Sequence, residues 1–168
     1  MASTKVRNIV STDHNSGKFR NGQNGYHAVS YTHLDVYKRQ DIICDTGHNV
    51  DGIEYIHVQL NAIHKTFDQE IHFVFGMVND KDIRGVLRAL PKYATYYFTK
   101  ASVKRALPEN ELLALAEEAG LKGTTYPTVV EAVQAAKKNC PPKDLIFVGG
   151  SSFIVADLLA NRDTLNLY

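Results

Sequence analysis

Asp41-Ile42-Ile43-Cys44-Asp45-Thr46-Gly47-His48-Asn49-Val50-Asp51-Gly52 is the stretch on which the fold reading turns. Asp41 to Asp45 predicts a short buried strand that ends at a carboxylate. Thr46-Gly47-His48-Asn49 is a small polar turn, and a helical pattern starts near Asp51. A strand that runs through a tight turn into a helix is where open α/β sheets hold their ligands. Side chains at the strand's carboxyl end face a crevice, and the helix N-terminus adds unpaired N–H groups and partial positive charge.

Downstream of this stretch the same unit repeats. Ile53, Ile56, Leu60 and Ile63 recur at helical spacing and predict a helix of about 13 residues. Ile71 to Phe75 reads as a second strand ending at Gly76; Asp82 then caps a helix bearing Ile83, Val86, Leu87 and Leu90, closed by Pro91. Ala94 to Phe98 is a third strand, ending at Thr99-Lys100-Ala101-Ser102. Pro108 suits the first turn of a helix with Leu112, Leu115, Ala116 and Ala119 inward, and Gly120 terminates it. Gly123 to Tyr126 is a short strand, and Thr128-Val129-Val130-Glu131 is a capping box opening a helix that Asn139 and Pro141-Pro142 stop. Asp144 to Val148 is the last strand, running into Gly149-Gly150-Ser151-Ser152 and a helix from Phe153 to Ala160. Continuously apolar strands joined by amphipathic helices imply a parallel arrangement covered on both faces. The expected fold is α/β: a Rossmann-like, doubly wound, mostly parallel sheet of about five to six strands with helices on both faces.

Residues 1–40 differ in character. They are rich in Ser, Thr, Asn and Gly, and turn dipeptides such as Asn21-Gly22 and Asn24-Gly25 crowd too closely for a core element. Val29 to Gln40 resembles a string that recurs at the ends of reading frames assembled from environmental DNA, where it looks like translated library adaptor. The expectation is a disordered or non-native leader over 1–40 and one domain over 41–168. The leader holds six Lys/Arg against two Asp/Glu, and the remainder thirteen against sixteen. That slightly acidic remainder lacks the basic face a nucleic-acid partner needs. Cys44 and Cys140 are the only cysteines, and their settings suit buried thiols in a reducing compartment rather than a disulfide. No apolar run reaches the roughly 20 residues that span a bilayer, and the first residues lack a signal-peptide core. A cytoplasmic protein with no membrane partner is expected.

In a parallel sheet the strand ends collect on one edge. Here they bring Asp45, His48 and Asn49; Gly76 with Asp80-Lys81-Asp82; Thr99 to Ser102 with Arg105; and Gly149 to Ser152. A carboxylate, an imidazole, cations and a Gly-Ser helix start suit a ligand with phosphate and hydroxyl groups. Each has a plainer reading. Asp45 or Asn49 caps the next helix, His48 is an ordinary turn histidine, and Lys81 between two Asp is a solvated charge cluster. Gly149-Gly150 simply permits close packing. No metal-ligand spacing occurs, and neither a G-x-S-x-G nucleophile turn nor a G-x-x-x-x-G-K-[ST] phosphate loop is present.

Taken in order, these strand ends resemble the C-terminal domain of the Mur ligase superfamily, and most closely its folylpolyglutamate synthase/dihydrofolate synthase branch. Asp45-Thr46-Gly47-His48-Asn49-Val50-Asp51-Gly52 stands where that branch carries D-x-A-H-N-P-x-G, with Gly47 for Ala and Val50 for Pro. Gly76 with Asp80-Lys81-Asp82 resembles its G…D-K-D, and Arg105-Ala106 the R-A that ends its third-strand segment. Gly150 to Asp157 resembles G-S-x-Y-x-V-x-E, with Phe153 for Tyr. The resemblance implies an ATP-dependent amide ligase in which a carboxylate becomes an acyl phosphate that the glutamate amine attacks. By position, Asp45 and His48 would contact the nucleotide, and Ser151 and Phe153 would lie near glutamate. Asn49, Lys81 and Arg105 match in type without an assigned role, and no residue is assigned to catalysis. ATP and Mg2+ are implied, the metal ligands belonging to a central ATPase domain that the chain lacks. That domain, glutamate and folate or dihydropteroate are the implied partners. A ligase for cell-wall precursors, or a non-catalytic Rossmann-like nucleotide-binding module, are the alternatives.

Overall fold

The computed structural model describes residues 5–8 and 40–167. Within them lie strands β1 (Lys5–Asn8), β2 (Asp41–Cys44), β3 (Ile71–Phe75), β4 (Thr95–Phe98), β5 (Gly123–Thr125) and β6 (Leu145–Gly149). The helices are α1 (Val50–Phe67), α2 (Ile83–Ala89), α3 (Glu109–Glu118), α4 (Val129–Asn139) and α5 (Ser152–Ala160). All strands pair in parallel, in the order β1-β2-β6-β3-β4-β5. The expected α/β architecture is therefore the one observed.

Alternation along the strands separates two cores. Phe73, Phe75, Tyr96, Phe98 and Phe147 face Leu60 of α1, Leu87 of α2 and Leu112 of α3. Ile42, Val74, Tyr97, Ile146 and Val148 face Val133 of α4 and Leu158 of α5. With both faces covered, every residue of β3 and β6 is buried, which is why those strands read as apolar runs, interrupted only by His72 in β3.

Four helices begin at a side-chain cap. Asn49 accepts from the Gly52 N–H at 2.8 Å, Asp82 from Gly85 at 2.9 Å, Thr128 from Glu131 at 3.2 Å and Ser151 from Phe153 at 3.2 Å. At α3, Pro108 occupies the N-cap position itself, one residue before the first turn where the sequence reading puts it. Helix α1 runs 18 residues, beyond its apolar stripe, to a left-handed Asp68 at φ 52°. His64 and Lys65 in its last turn suit the negative end of the helix dipole, and no Gly or Pro intervenes to stop it earlier.

One element has no counterpart in the sequence reading. Lys5–Asn8 adds a strand to the edge of β2, Lys5 lying opposite Asp41 and Asn8 opposite Cys44. Such a strand owes its existence to the hydrogen-bonding edge that β2 offers rather than to a local period. Of the rest of the expected leader over 1–40, Gln40 is described; residues 1–4 and 9–39, which include the adaptor-like string up to Arg39, lie outside the described residues.

The topology also fixes where a crevice opens. Helix α1 leaves β2 for one face and α2 leaves β3 for the same face, whereas α5 leaves β6 for the other. Strand β6 lies between β2 and β3, so its loop diverges from the loops on both sides. Ligands of open α/β sheets bind at such a switch point, outside the carboxyl ends of the strands.

Candidate functional site

Asp45 follows β2 and extends its ladder, its N–H donating to the Val148 carbonyl of β6 at 3.1 Å. The residue is fully buried. Oδ1 accepts the Gly47 N–H at 2.7 Å, while Oδ2 has no hydrogen-bond partner among the described residues. Burial pushes the Asp45 carboxyl above the usual carboxylate range, and the Gly47 N–H offsets only part of this. A buried carboxyl oxygen without a donor is unfavourable until a proton or a ligand hydroxyl meets it. Gly47 lets the turn close over this carboxyl, since a Cβ there would stand 2.7 Å from Ile56 Cδ1.

His48 is half-buried in the same turn. Its Nδ1 lies 3.0 Å from the Thr46 carbonyl; an oxygen that can only accept makes Nδ1 the protonated nitrogen when the ring is neutral and leaves Nε2 as acceptor. Asn49 is the cap of α1, so the plain capping reading holds for Asn49. Asp45 closes the preceding turn instead.

Ser151 ends the β6 loop. Gly150 before it has φ +95°, and a Cβ there would collide with the Phe75 ring and the Gly76 carbonyl. Ser151 is 2% exposed and caps α5 by accepting from Phe153, which leaves its hydroxyl proton available to donate. Over the Phe153 ring lies the Arg105 guanidinium, its Cζ 4.9 Å from the centroid. Arg105 also donates to Asp80 Oδ2 at 3.1 Å. The loops after β3 and β4 are stitched together behind this group. Val78 bridges Ala106, the Asn79 N–H donates to the Arg105 carbonyl at 3.0 Å, and the Leu107 N–H to Met77 at 2.9 Å.

The strand ends thus form two groups, Asp45 with His48 at β2 and Ser151, Phe153, Arg105 and Asp80 around β6. Lys81, next to Asp80 in the chain, is exposed and makes no ion pair among the described residues. Three residues lie in the strand-end stretches gathered from sequence, but their settings were not foreseen there. Asp80 partners Arg105, Asp157 accepts from Ser102, and Thr99 holds a fully buried hydroxyl with no described partner. Asp80 and Asp157 lie in motif-like stretches, yet nothing local ties either to a residue 25 or 55 positions away.

Among the described residues, no three His, Cys, Asp or Glu side chains could share a metal ion, and no helix is long and apolar enough to cross a membrane. Both cysteines are buried and neither is in a disulfide. Burial pushes the Cys140 thiol up to about 12, and Cys44 is raised by burial and by the adjacent Asp45. The Asp45 Oδ2 oxygen and the His48 Nε2 are acceptors that the turn after β2 offers.

A family model described as "Mur ligase, glutamate ligase domain" matches residues 33–152. The chain is 32% identical over 136 residues to the dihydrofolate synthase/folylpolyglutamate synthase of Buchnera aphidicola subsp. Schizaphis graminum, covering 79% of this chain and 31% of that protein. It is 27% identical over 135 residues to the protein of the same name from Haemophilus influenzae, again covering 79% and 31%. Among solved structures, E. coli FolC in complex with DHPP and ADP aligns with a TM-score of 0.66 at 26% identity, over 78% of this chain and 30% of that one. The chain therefore spans under a third of the length of these relatives.

Proposed function

The chain belongs to the Mur ligase, glutamate ligase domain family, and from that premise we propose that it is the C-terminal domain of an ATP-dependent, ADP-forming folate-type ligase. The reaction joins glutamate to a folate or dihydropteroate carboxylate. ATP phosphorylates the carboxylate, the glutamate amine attacks the acyl phosphate carbonyl, and the C–O bond breaks with release of phosphate. Asp45 and His48 face the adenosine, and Ser151 and Phe153 face the incoming glutamate. The phosphate loop and the Mg2+ ligands belong to a central domain outside this chain, which alone is inactive. Closure of the two domains keeps water from the acyl phosphate. Such a reaction, and two buried thiols, suit the cytoplasm.

The observation that carries the reading is the buried Asp45 carboxyl at the β6 switch point, one oxygen of which has no donor. A ribose hydroxyl supplies that donor. The folate names of the relatives favour this branch over ligases of cell-wall precursors. The test is a chimera in which residues 40–168 replace the C-terminal part of the Haemophilus influenzae relative. ADP release that requires both glutamate and a folate or dihydropteroate acceptor is expected from the chimera and not from the chain alone. A folded chimera that releases ADP with neither acceptor overturns the proposal.

A further inference from the structure

We propose that Asp157 is a positioning residue: it clamps the turn after β4 onto α5 and so holds the Arg105 guanidinium over Phe153. Phe153 and Asp157 are four residues apart on α5 and share one face of it. The turn from Ser102 to Arg105, closed by the Ala106 N–H donating to the Val103 carbonyl at 3.1 Å, lies along that face. At one end the Ser102 N–H donates to Asp157 Oδ2 and the Ser102 hydroxyl to Oδ1, both at 2.7 Å. At the other end Arg105 covers the Phe153 ring.

The contact of Ser102 with Asp157 is at the surface too, but a single residue fills both carboxylate oxygens with two charge-assisted bonds, one of them from a backbone N–H. Two bonds from one residue fix its direction where one exposed ion pair does not. The other holds on the Arg105 side chain are weak. Its pair with Asp80 leaves the two side chains 56% and 52% exposed, a setting in which ion pairs hold geometry poorly. The bridge to Asn79 restrains its backbone alone. Helix α5 itself is anchored through Ile154, Val155 and Leu158, which are buried, so Asp157 is not needed to seat the helix. Its clamp sets where the charge of Arg105 sits relative to the Ser151-capped start of α5. The consequence for glutamate rests on the function proposed above; the clamp itself does not.

The experiment is nuclear magnetic resonance on the full chain. In the wild type the Phe153 ring current displaces the Arg105 side-chain protons, and the Ser102 amide proton lies downfield. In Asp157→Ala both signatures are lost while the Ile154 and Leu158 methyl signals keep their positions. Arg105 shifts that survive in this variant overturn the proposal. Should Asp157→Ala fail to fold, Ser102→Ala removes only the hydroxyl arm; a partial loss of the Arg105 displacement supports the clamp, and an unchanged displacement overturns it. Titration with L-glutamate adds the functional reading. Wild-type perturbations at Phe153 and Arg105 weaken in Asp157→Ala, and an equal response in both overturns the positioning role. A wild type that does not respond to L-glutamate removes the glutamate assignment and leaves the clamp to be decided by the ring-current result.

Discussion

Asp45 sets folding against ligand binding within one side chain. Its carboxyl is raised above 3.8 by burial, so the folded state holds the proton more tightly than the unfolded chain. This contribution to stability is present below 3.8 and is lost as pH rises through the folded value. Once ionised, Asp45 is a buried carboxylate with only one of its oxygens hydrogen-bonded. Asp45→Asn removes the titrating group, so the fall in stability as pH rises from 3.8 is expected to disappear in a urea-unfolding series run against pH. His72 acts in the opposite direction. It is 8% exposed with Nδ1 2.9 Å from the Tyr97 hydroxyl, and burial lowers its pKa below 6.5 although Asp144 and Glu70 oppose this. The unfolded chain then takes up the proton first. Stability is full above 6.5 and declines as pH drops through 6.5 toward the folded value. A His72→Gln variant should lose that acid slope in the same unfolding series.

Loop geometry and caps decide stability at the scale of elements. Gly150→Ala adds a Cβ at φ +95° against the Phe75 ring and the Gly76 carbonyl, and a loss of about 3 kcal/mol is expected by thermal or urea unfolding. Thr128→Ala removes the cap of α4 and should cost about 1 kcal/mol. His48→Ala, by contrast, should leave stability unchanged while raising the KM for ATP in the chimera described above; unchanged kinetics would remove His48 from the site. The elements were almost all legible beforehand. Ile53, Ile56 and Leu60 repeat at helical spacing and are the buried residues of α1, and the Thr128/Glu131 box is formed as its pattern implies. The length of α1 was less legible, because the only apolar residue of its last turn, Phe67, lies half exposed beyond the buried residues of the stripe. Strand β1 was not legible at all, because pairing with β2 is a tertiary event.

The described core residues of the whole molecule all lie at position 42 or beyond. Gln40, just before β2, ties the end of α4 by donating to the Lys137 carbonyl at 3.0 Å and to that of Cys140. Removal of residues 1–39 is therefore expected to leave a cooperative unfolding transition, and far-ultraviolet circular dichroism before and after truncation checks this. A loss of cooperativity would assign the edge strand Lys5–Asn8 an essential share of the fold. Sequence sufficed for every element except β1, for the Asn49, Asp82 and Thr128 caps, and for the residues gathered at the carboxyl edge, because periodicity and capping act over a turn or less of chain. Tertiary structure alone decided that the last strand inserts between β2 and β3, beside Asp45. It alone placed Arg105 on Phe153, Ser102 on Asp157 and His72 on Tyr97. Those pairings join residues 25 to 55 positions apart, and they follow from which strand order lets helices cover both faces of one sheet.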